Sequence, residues 1–267
     1  MRLQINKIKN LFIRYFYFFI RQIYRIIFII PFFVVVSILE FFYERLAKIN
    51  TSPDVENCFI ITSVIYNKQK ELSYASTRSV YNPEERAVQT LKTIVSIKEK
   101  VSNVKIILVE SGLQENLPLD LAKQVDQYLY LGNKFFVRHA CDSKFKSLGE
   151  AIMLLYARKH IKFNSELFFK ISGRYFLDEN FDINSWRSDL FKFFYIREDY
   201  VSTRLYSFGK QMLRMWQFAL IKGLPLMLLD YPIEHILVRF VPKKYIQTVD
   251  KVGVMGSDAT SGKIIKE

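Results

Sequence analysis

Apolar residues follow three rhythms along this chain. Between positions 11 and 43 they come in nearly unbroken runs, Leu11-Phe-Ile, then Tyr15 to Ile20, then Ile26 to Leu39 without a charge. After Asn50-Thr-Ser-Pro53 the runs shorten to strand length and alternate with stretches of helical period. Residues 58–66 (C-F-I-I-T-S-V-I-Y) and 104–110 (V-K-I-I-L-V-E) have the β-rich, continuously apolar pattern of strands buried on both faces. Residues 127–131 read as a shorter strand, and 166–177 contain a strong one, L-F-F-K-I-S. Between them lie two helices. The first opens at Pro83-Glu-Glu, with Asn82 as cap and proline in the first turn. It keeps Val88, Leu91, Ile94, Val95 and Ile97 on one stripe to about residue 101. The second covers 148–161. Beyond 184 the pattern predicts strands near 190–195 and 200–205, then helices near 209–221 and 231–240.

Alternating strands and helices of this length predict an α/β fold, with a mainly parallel, Rossmann-like sheet covered by helices on both faces. The boundaries expected from composition are an N-terminal segment at 1–50 and a single α/β domain at 51–267, within the 267 residues of the chain. Two cysteines, Cys58 and Cys141, are too few for a disulfide framework or a cysteine-rich zinc module.

Charge adds a partner. The chain carries a net charge of +13, and its first fifty residues hold eight basic and two acidic side chains. Basic residues flanking aromatic and aliphatic runs are what a headgroup region selects, so the excess points to a membrane surface rather than nucleic acid. The run from Ile26 to Tyr43 approaches the length of a span but is bent at Pro31 and interrupted by Glu40. It fits a signal anchor, an interfacial or re-entrant helix pair, or a soluble core helix. A positive-inside span would place the remainder outside the cytosol, whereas a monotopic attachment leaves it facing the cytoplasm.

In open α/β sheets ligands bind beyond the carboxyl ends of the strands. Four loops there bring Arg, Lys, Ser, Gly and Glu to one rim. They are Thr62-Ser63 with Arg78, Glu110-Ser111-Gly112, Lys144 to Glu150 with Lys146, and Lys170-Ile-Ser172-Gly173-Arg174-Tyr175. That mixture suits a phosphorylated ligand. No G-x-G-x-x-G, G-x-x-x-x-G-K-[ST] or G-x-S-x-G motif is present, and His139, His160 and His235 lack metal-ligand spacing. Each candidate also has a plainer reading. Arg174 and Lys170 could be strand-end ion pairs, Lys146 and Glu150 a surface pair at i and i+4, and Arg78 and Arg86 solvated loop charges. Phe168, Phe169 and Phe176 read as core, and Tyr175 as the aromatic that follows the Gly-Arg turn. Glu110 ends a buried strand, where an isolated carboxylate is costly, and this favours a ligand role.

The ordered series T-S-V-I, R-S-V-Y-N-P-E-E-R, Q-T-L-K-T-I-V-S-I, I-I-L-V-E-S, K-S-L-G-E, K-I-S-G-R-Y, I-E-H-I-L and V-G-V-M-G resembles nucleotide-sugar glycosyltransferases of the GT-A-like superfamily. The likeness is to the kind found in surface polysaccharide and lipopolysaccharide assembly, and covers roughly residues 57–262. It implies a nucleotide-diphosphate-sugar donor bound by the first half and a glycan or lipid-linked acceptor bound by the second. On this likeness Thr62, Ser63 and Arg78 meet the nucleotide, and Glu110 and Ser111 lie beside the base or ribose. Read from the residues, Arg174 could neutralise the departing diphosphate in place of a metal. Glu234 beside His235 could activate an acceptor hydroxyl, but adjacent helix residues point about 100° apart, and a His235 that caps or packs against the sheet is the favoured reading. The Asp-x-Asp metal motif common in such enzymes is missing, and Ser172-Gly173-Arg174 stands in its place. Asp178 and Asp182 keep Mn²⁺ or Mg²⁺ binding open. The other class of function is a non-catalytic, membrane-tethered α/β scaffold that binds anionic lipid or a protein partner.

Overall fold

The computed structural model describes residues 55–68 and 70–267, with three isolated earlier positions at 20, 23 and 24. The chain divides into two units, Met1–Ile49 and Asn50–Glu267, and all elements named below belong to the second. The expected membrane segment at 1–50 lies outside the described residues. Among the described residues, no helix is long and apolar enough to cross a membrane.

Four parallel strands form the heart of a seven-stranded sheet: β1 (Val55–Ser63), β2 (Val104–Glu110), β3 (Gln127–Tyr130) and β4 (Ser165–Ser172), in the order β3-β2-β1-β4. β1 is central, and everything from Asn57 to Ser63 is buried, which is why its sequence is an almost unbroken apolar run. Beyond β4 the sheet continues with β9 (Leu205–Gly209), antiparallel to β4, and then β6 (Phe191–Phe193) and β10 (Ile246–Thr248). Between β6 and β9, β7 (Tyr195–Arg197) and β8 (Tyr200–Val201) form a short hairpin. A second sheet joins β5 (Tyr175–Leu177) to β11 (Val254–Ser257) and β12 (Ile264–Lys266), all antiparallel. The mainly parallel sheet expected from the pattern is therefore present, with antiparallel pairing around β9.

Alternation along the strands loads both faces. On one face Phe59 stacks on Phe169 at 4.3 Å, and Ile94 and Ile97 of helix α1 (Pro83–Lys100) pack into the same cluster. On the other, Phe168, Phe208 and Trp216 stack in series. Trp216 belongs to helix α5 (Leu213–Met227), which follows α2 (Phe135–Asp142), α3 (Lys146–Arg158) and the single turn α4 (Ile183–Trp186). Helix α6 (Ile233–Phe240) packs on α5. Asn82 caps α1 in a full capping box, its Oδ1 accepting from the Glu85 amide at 2.8 Å while Glu85 Oε2 accepts from the Asn82 amide at 2.8 Å.

Several boundaries differ from the pattern. α3 begins at Lys146, two residues earlier than expected, so that Lys146 and Glu150 share its first turns. The 166–177 run is two strands, because the chain turns at Gly173-Arg174 and β5 leaves for the second sheet. The strand expected at 200–205 splits into β8 and β9, since Ser202 to Arg204 cross the carboxyl end of β4, where the Arg204 carbonyl accepts from the Ser172 amide at 3.0 Å. Helix α2 was not legible: it is eight residues long and begins on two exposed phenylalanines.

Candidate active site

The carboxyl ends of β1 and β4 open into a cleft of about 810 Å³. Its walls include Thr62, Ser63, Arg78, Arg86, Thr90, Lys146, Glu150, Ser172, Gly173 and Arg174. A second pocket of about 500 Å³ is lined by Tyr175, Tyr200, Ser202, Thr203, Arg204, Glu234 and Asp258, and it shares Lys146, Glu150, Ser172 and Arg174 with the cleft. Four residues from α3 and the β4 turn thus form a common wall between two cavities.

Lys170 lies under that wall. It sits two residues before the end of β4 with no exposed surface. Its Nζ donates to the Thr203 carbonyl at 2.9 Å and to Ser172 Oγ at 3.0 Å, and forms an ion pair with Glu150. Burial opposes ionisation of Glu150, but the pairing with Lys170, and then the charges of Lys146 and Arg174, outweigh it and hold its carboxyl below the usual range. Lys146 is exposed where it lines the cleft, among the charged groups of the wall. Desolvation first, then the like charge of Arg174, lower its pKa from the ordinary lysine value. Arg174 retains one buried guanidinium nitrogen, Nη1, without a protein partner. A carboxylate fixed from below thus faces two cations that are incompletely satisfied by protein, an arrangement suited to an incoming multivalent anion.

Gly173 lines the cleft and packs closely against β1 and α1. Its amide donates to the Thr62 carbonyl at 2.9 Å, and its carbonyl accepts from Thr90 Oγ1 at 3.1 Å. A Cβ there would stand 3.2 to 3.3 Å from Thr90, Ile61 and Thr62, so glycine lets the turn press against β1 and α1.

Other expected residues have different placements. Glu110 does not face the cleft. It is completely buried, and its Oε1 accepts from the amides of Ile65 at 3.0 Å and Gly112 at 2.5 Å. Burial raises its pKa, against the Ser63 side-chain bond first, then these amide bonds and the nearby charge of Arg86. Arg86, also buried, is lowered to about 10, by desolvation first and then by Arg174, with Glu110 opposing. Ser111 is buried too and accepts a bond from Cys141 Sγ at 3.3 Å. Arg78 lines the cleft, but its Nη1 donates to the Cys141 carbonyl at 2.7 Å and its Nη2 to the Ser143 carbonyl, which braces the end of α2.

Glu234 and His235 diverge, as their helical spacing requires. Glu234 enters the second pocket and accepts from Thr203 Oγ1 at 2.9 Å. His235 turns to the β7–β8 hairpin, its Nδ1 3.2 Å from Asp199 and its ring edge-on to Tyr200 at 5.0 Å. They do not form an acid–base pair. Sequence reading missed Asp258, Thr203 and Arg204. Asp258 Oδ1 accepts from the amides and hydroxyls of Thr260 and Ser261, at 2.7 to 3.0 Å. Those bonds outweigh burial and depress its pKa. The D-A-T-S run after β11 is an Asx-type turn signal that could have marked it.

Among the described residues, Asp178 and Asp182 do not come together as a divalent-cation site. Asp178 is buried and bonds the Asn180 amide, while Asp182 caps α4. The cleft carboxylate is paired with Lys170, and among the described residues no three His, Cys, Asp or Glu side chains cluster as ligands.

Neither a protein family nor a curated protein matches the sequence. Solved structures similar in chain path include glycosyltransferases and nucleotidyltransferases. One is a glycosyltransferase involved in glycosylation of the major capsid of PBCV-1, 10% identical, covering 73% of this chain and 82% of its own, with TM-score 0.39. Another is the galactosyltransferase LgtC, solved with donor and acceptor sugar analogues, 8% identical over 72% of this chain and 73% of its own, TM-score 0.42. A third is the inositol-1-phosphate CTP transferase from T. maritima, 13% identical over 74% and 86%, TM-score 0.39.

Proposed function

We propose that the protein transfers a sugar from a nucleotide-diphosphate donor to a glycan or lipid-linked acceptor. The observation that carries this reading is the wall of Lys146, Glu150, Ser172 and Arg174 shared by the two cavities. A transfer reaction needs two substrates meeting at one set of groups, and a cation pair at the meeting point suits a leaving diphosphate.

In this reading the donor lies in the larger cleft. Thr62 and Ser63 offer hydroxyls from the end of β1, and Arg174 and Lys146 take up the diphosphate charge. The acceptor enters the second pocket, where Glu234 receives the proton of its hydroxyl. The acceptor oxygen bonds to the anomeric carbon as the bond from that carbon to the diphosphate oxygen breaks, and the electron pair leaves on the diphosphate. Arg174 and Lys146 stabilise that charge, the task a metal performs elsewhere. Glu150, pinned by Lys170, keeps the two cations from moving apart. The basic, apolar N-terminal sequence supports an acceptor held at a membrane, with the domain on the cytoplasmic face.

Thermal-shift titration with a panel of nucleotide diphosphates and their sugars, with and without Mn²⁺, tests this directly, because ligands that bind the native state raise the melting temperature by mass action. The expected result is saturable stabilisation by one nucleotide series without added metal. No stabilisation by any of them would favour the non-catalytic scaffold.

A further inference from the structure

We propose that the tip of helix α2, Phe135 and Phe136 with the cations around it, is an insertion site for an anionic bilayer, built into the α/β domain itself and separate from the first fifty residues. Phe135 and Phe136 are 75% and 65% exposed, and their rings pack edge-to-face at 5.4 Å. Two adjacent exposed phenylalanines at a helix start are unusual in a domain whose other large aromatics are mostly core. Leu113, 43% exposed, belongs to the same surface, because the Gly132 turn presses on Gly112: a Cβ on Gly132 would lie 1.9 Å from the Gly112 carbonyl oxygen.

The charge around this tip is complementary to acidic headgroups. Lys134 precedes the pair and is exposed, and His139 stacks on Phe135 at 6.1 Å. Asp142, the only acid within α2, is already paired with Lys68 at 2.8 Å and with Arg138. Aromatic tips set among lysines sit at the headgroup level, about 5–10 Å into the interface. The far end of α2 places Cys141 in the cleft wall, and eight residues of helix span only about 12 Å. Insertion of the tip would therefore hold the cleft close to the lipid surface, where a lipid-linked acceptor would be presented.

The two native tryptophans, Trp186 and Trp216, are completely buried, so their emission is a constant background that a bilayer quencher does not reach, and the change on lipid binding comes from a new surface tryptophan. Full-length protein carrying Phe136→Trp is mixed with phosphatidylglycerol vesicles whose acyl chains are brominated near the headgroup, and with equivalent phosphatidylcholine vesicles. Val88→Trp, on exposed α1, serves as the reference. We expect a blue shift and quenching several-fold stronger for Phe136→Trp than for Val88→Trp, on phosphatidylglycerol only, weakening as salt rises. Equal quenching of both reporters, or an unshifted Phe136→Trp on protein that sediments with the vesicles, would overturn the proposal. So would failure to sediment, or a blue shift that grows with protein concentration in the absence of lipid, which would make the tip a contact between copies. None of these readouts depends on a donor, so the result stands apart from the transferase reading.

Discussion

Strands β2 and β4 lie on either side of β1 and end alike. β2 closes with Glu110-Ser111-Gly112, and β4 with Lys170, Ser172, Gly173 and Arg174. Both ends have the polar, glycine-bearing look of a ligand rim, yet only one opens into the cleft. At β2 the charged residue turns inward, and its carboxylate accepts the amides of Ile65 and Gly112. At β4 the charged residue also turns inward, but it binds Glu150 on α3 and leaves Arg174 to project beyond it. What separates the closed strand end from the open one is where the hydrogen bonds of its buried charge go. A charge satisfied by backbone amides of two neighbouring loops, here those after β1 and β2, closes those loops together, whereas one satisfied by another element's side chain holds a wall in place.

The largest effect we expect is at the closed end. Glu110→Ala leaves two buried amides unpaired and removes the carboxylate nearest the charge of Arg86, so denaturant unfolding should show a loss of about 3–5 kcal/mol. A loss below about 1 kcal/mol would mean that β2 is not tied by this side chain. At the open end, Arg174→Ala should leave the ligand-free melting temperature unchanged and lower turnover roughly 10²–10³-fold once a donor is identified. Arg174→Lys should fall between, because lysine keeps the charge and loses the two-point grip. Wild-type turnover by a folded Arg174→Ala would remove the cation from the reaction.

Gly173→Ala sharpens the contrast from the packing side. The added methyl meets Thr90, Ile61 and the Thr62 carbonyl at 3.2 to 3.3 Å, and should cost about 1–3 kcal/mol in thermal stability. An unaffected melting temperature would show that the turn has room to shift. The smallest effect is a pH dependence. Because the Lys146 pKa is lowered in the folded protein, its charge is lost on the alkaline side before that of an ordinary lysine. Affinity for a nucleotide diphosphate should therefore fall as pH rises through that lowered value, by up to about tenfold per pH unit. Lys146→Arg should keep its affinity into higher pH, and identical profiles would place Lys146 outside the diphosphate site. Glu150 has the opposite sign: its depressed pKa adds stability above the unfolded value, lost as pH falls through the folded one.

The parallel strands were legible because burial on both faces writes itself as unbroken apolar runs, as in β1 and β2. The cap of α1 was legible because its chemistry is local, Asn82 to Glu85. The candidate wall was legible as residue types, Lys146, Glu150, Ser172 and Arg174, since charged residues at strand ends and helix starts are few. Partners were not. Nothing in the sequence distinguishes Glu110, bonded to residues 65 and 112, from a carboxylate free to meet a ligand. Arg78 likewise gave no sign that its guanidinium braces Cys141 and Ser143. Thr203, Arg204 and Asp258 escaped notice because the second pocket is assembled from segments far apart in the chain, whose meeting depends on where β9 and β11 return.

That return sets the order in which the protein can be made. β5 finds its partner only when β11 arrives, pairing Tyr175 with Gly256 across most of the second half of the chain. Long-range pairings of this kind close late, after local helices and neighbouring strands have formed. A chain emerging from the ribosome can build β1 to β4 with α1 and α3, and so most of the larger cleft, well before it has synthesised Asp258. The larger cleft can thus take shape in the nascent chain, while the second pocket waits for the last strands to come home.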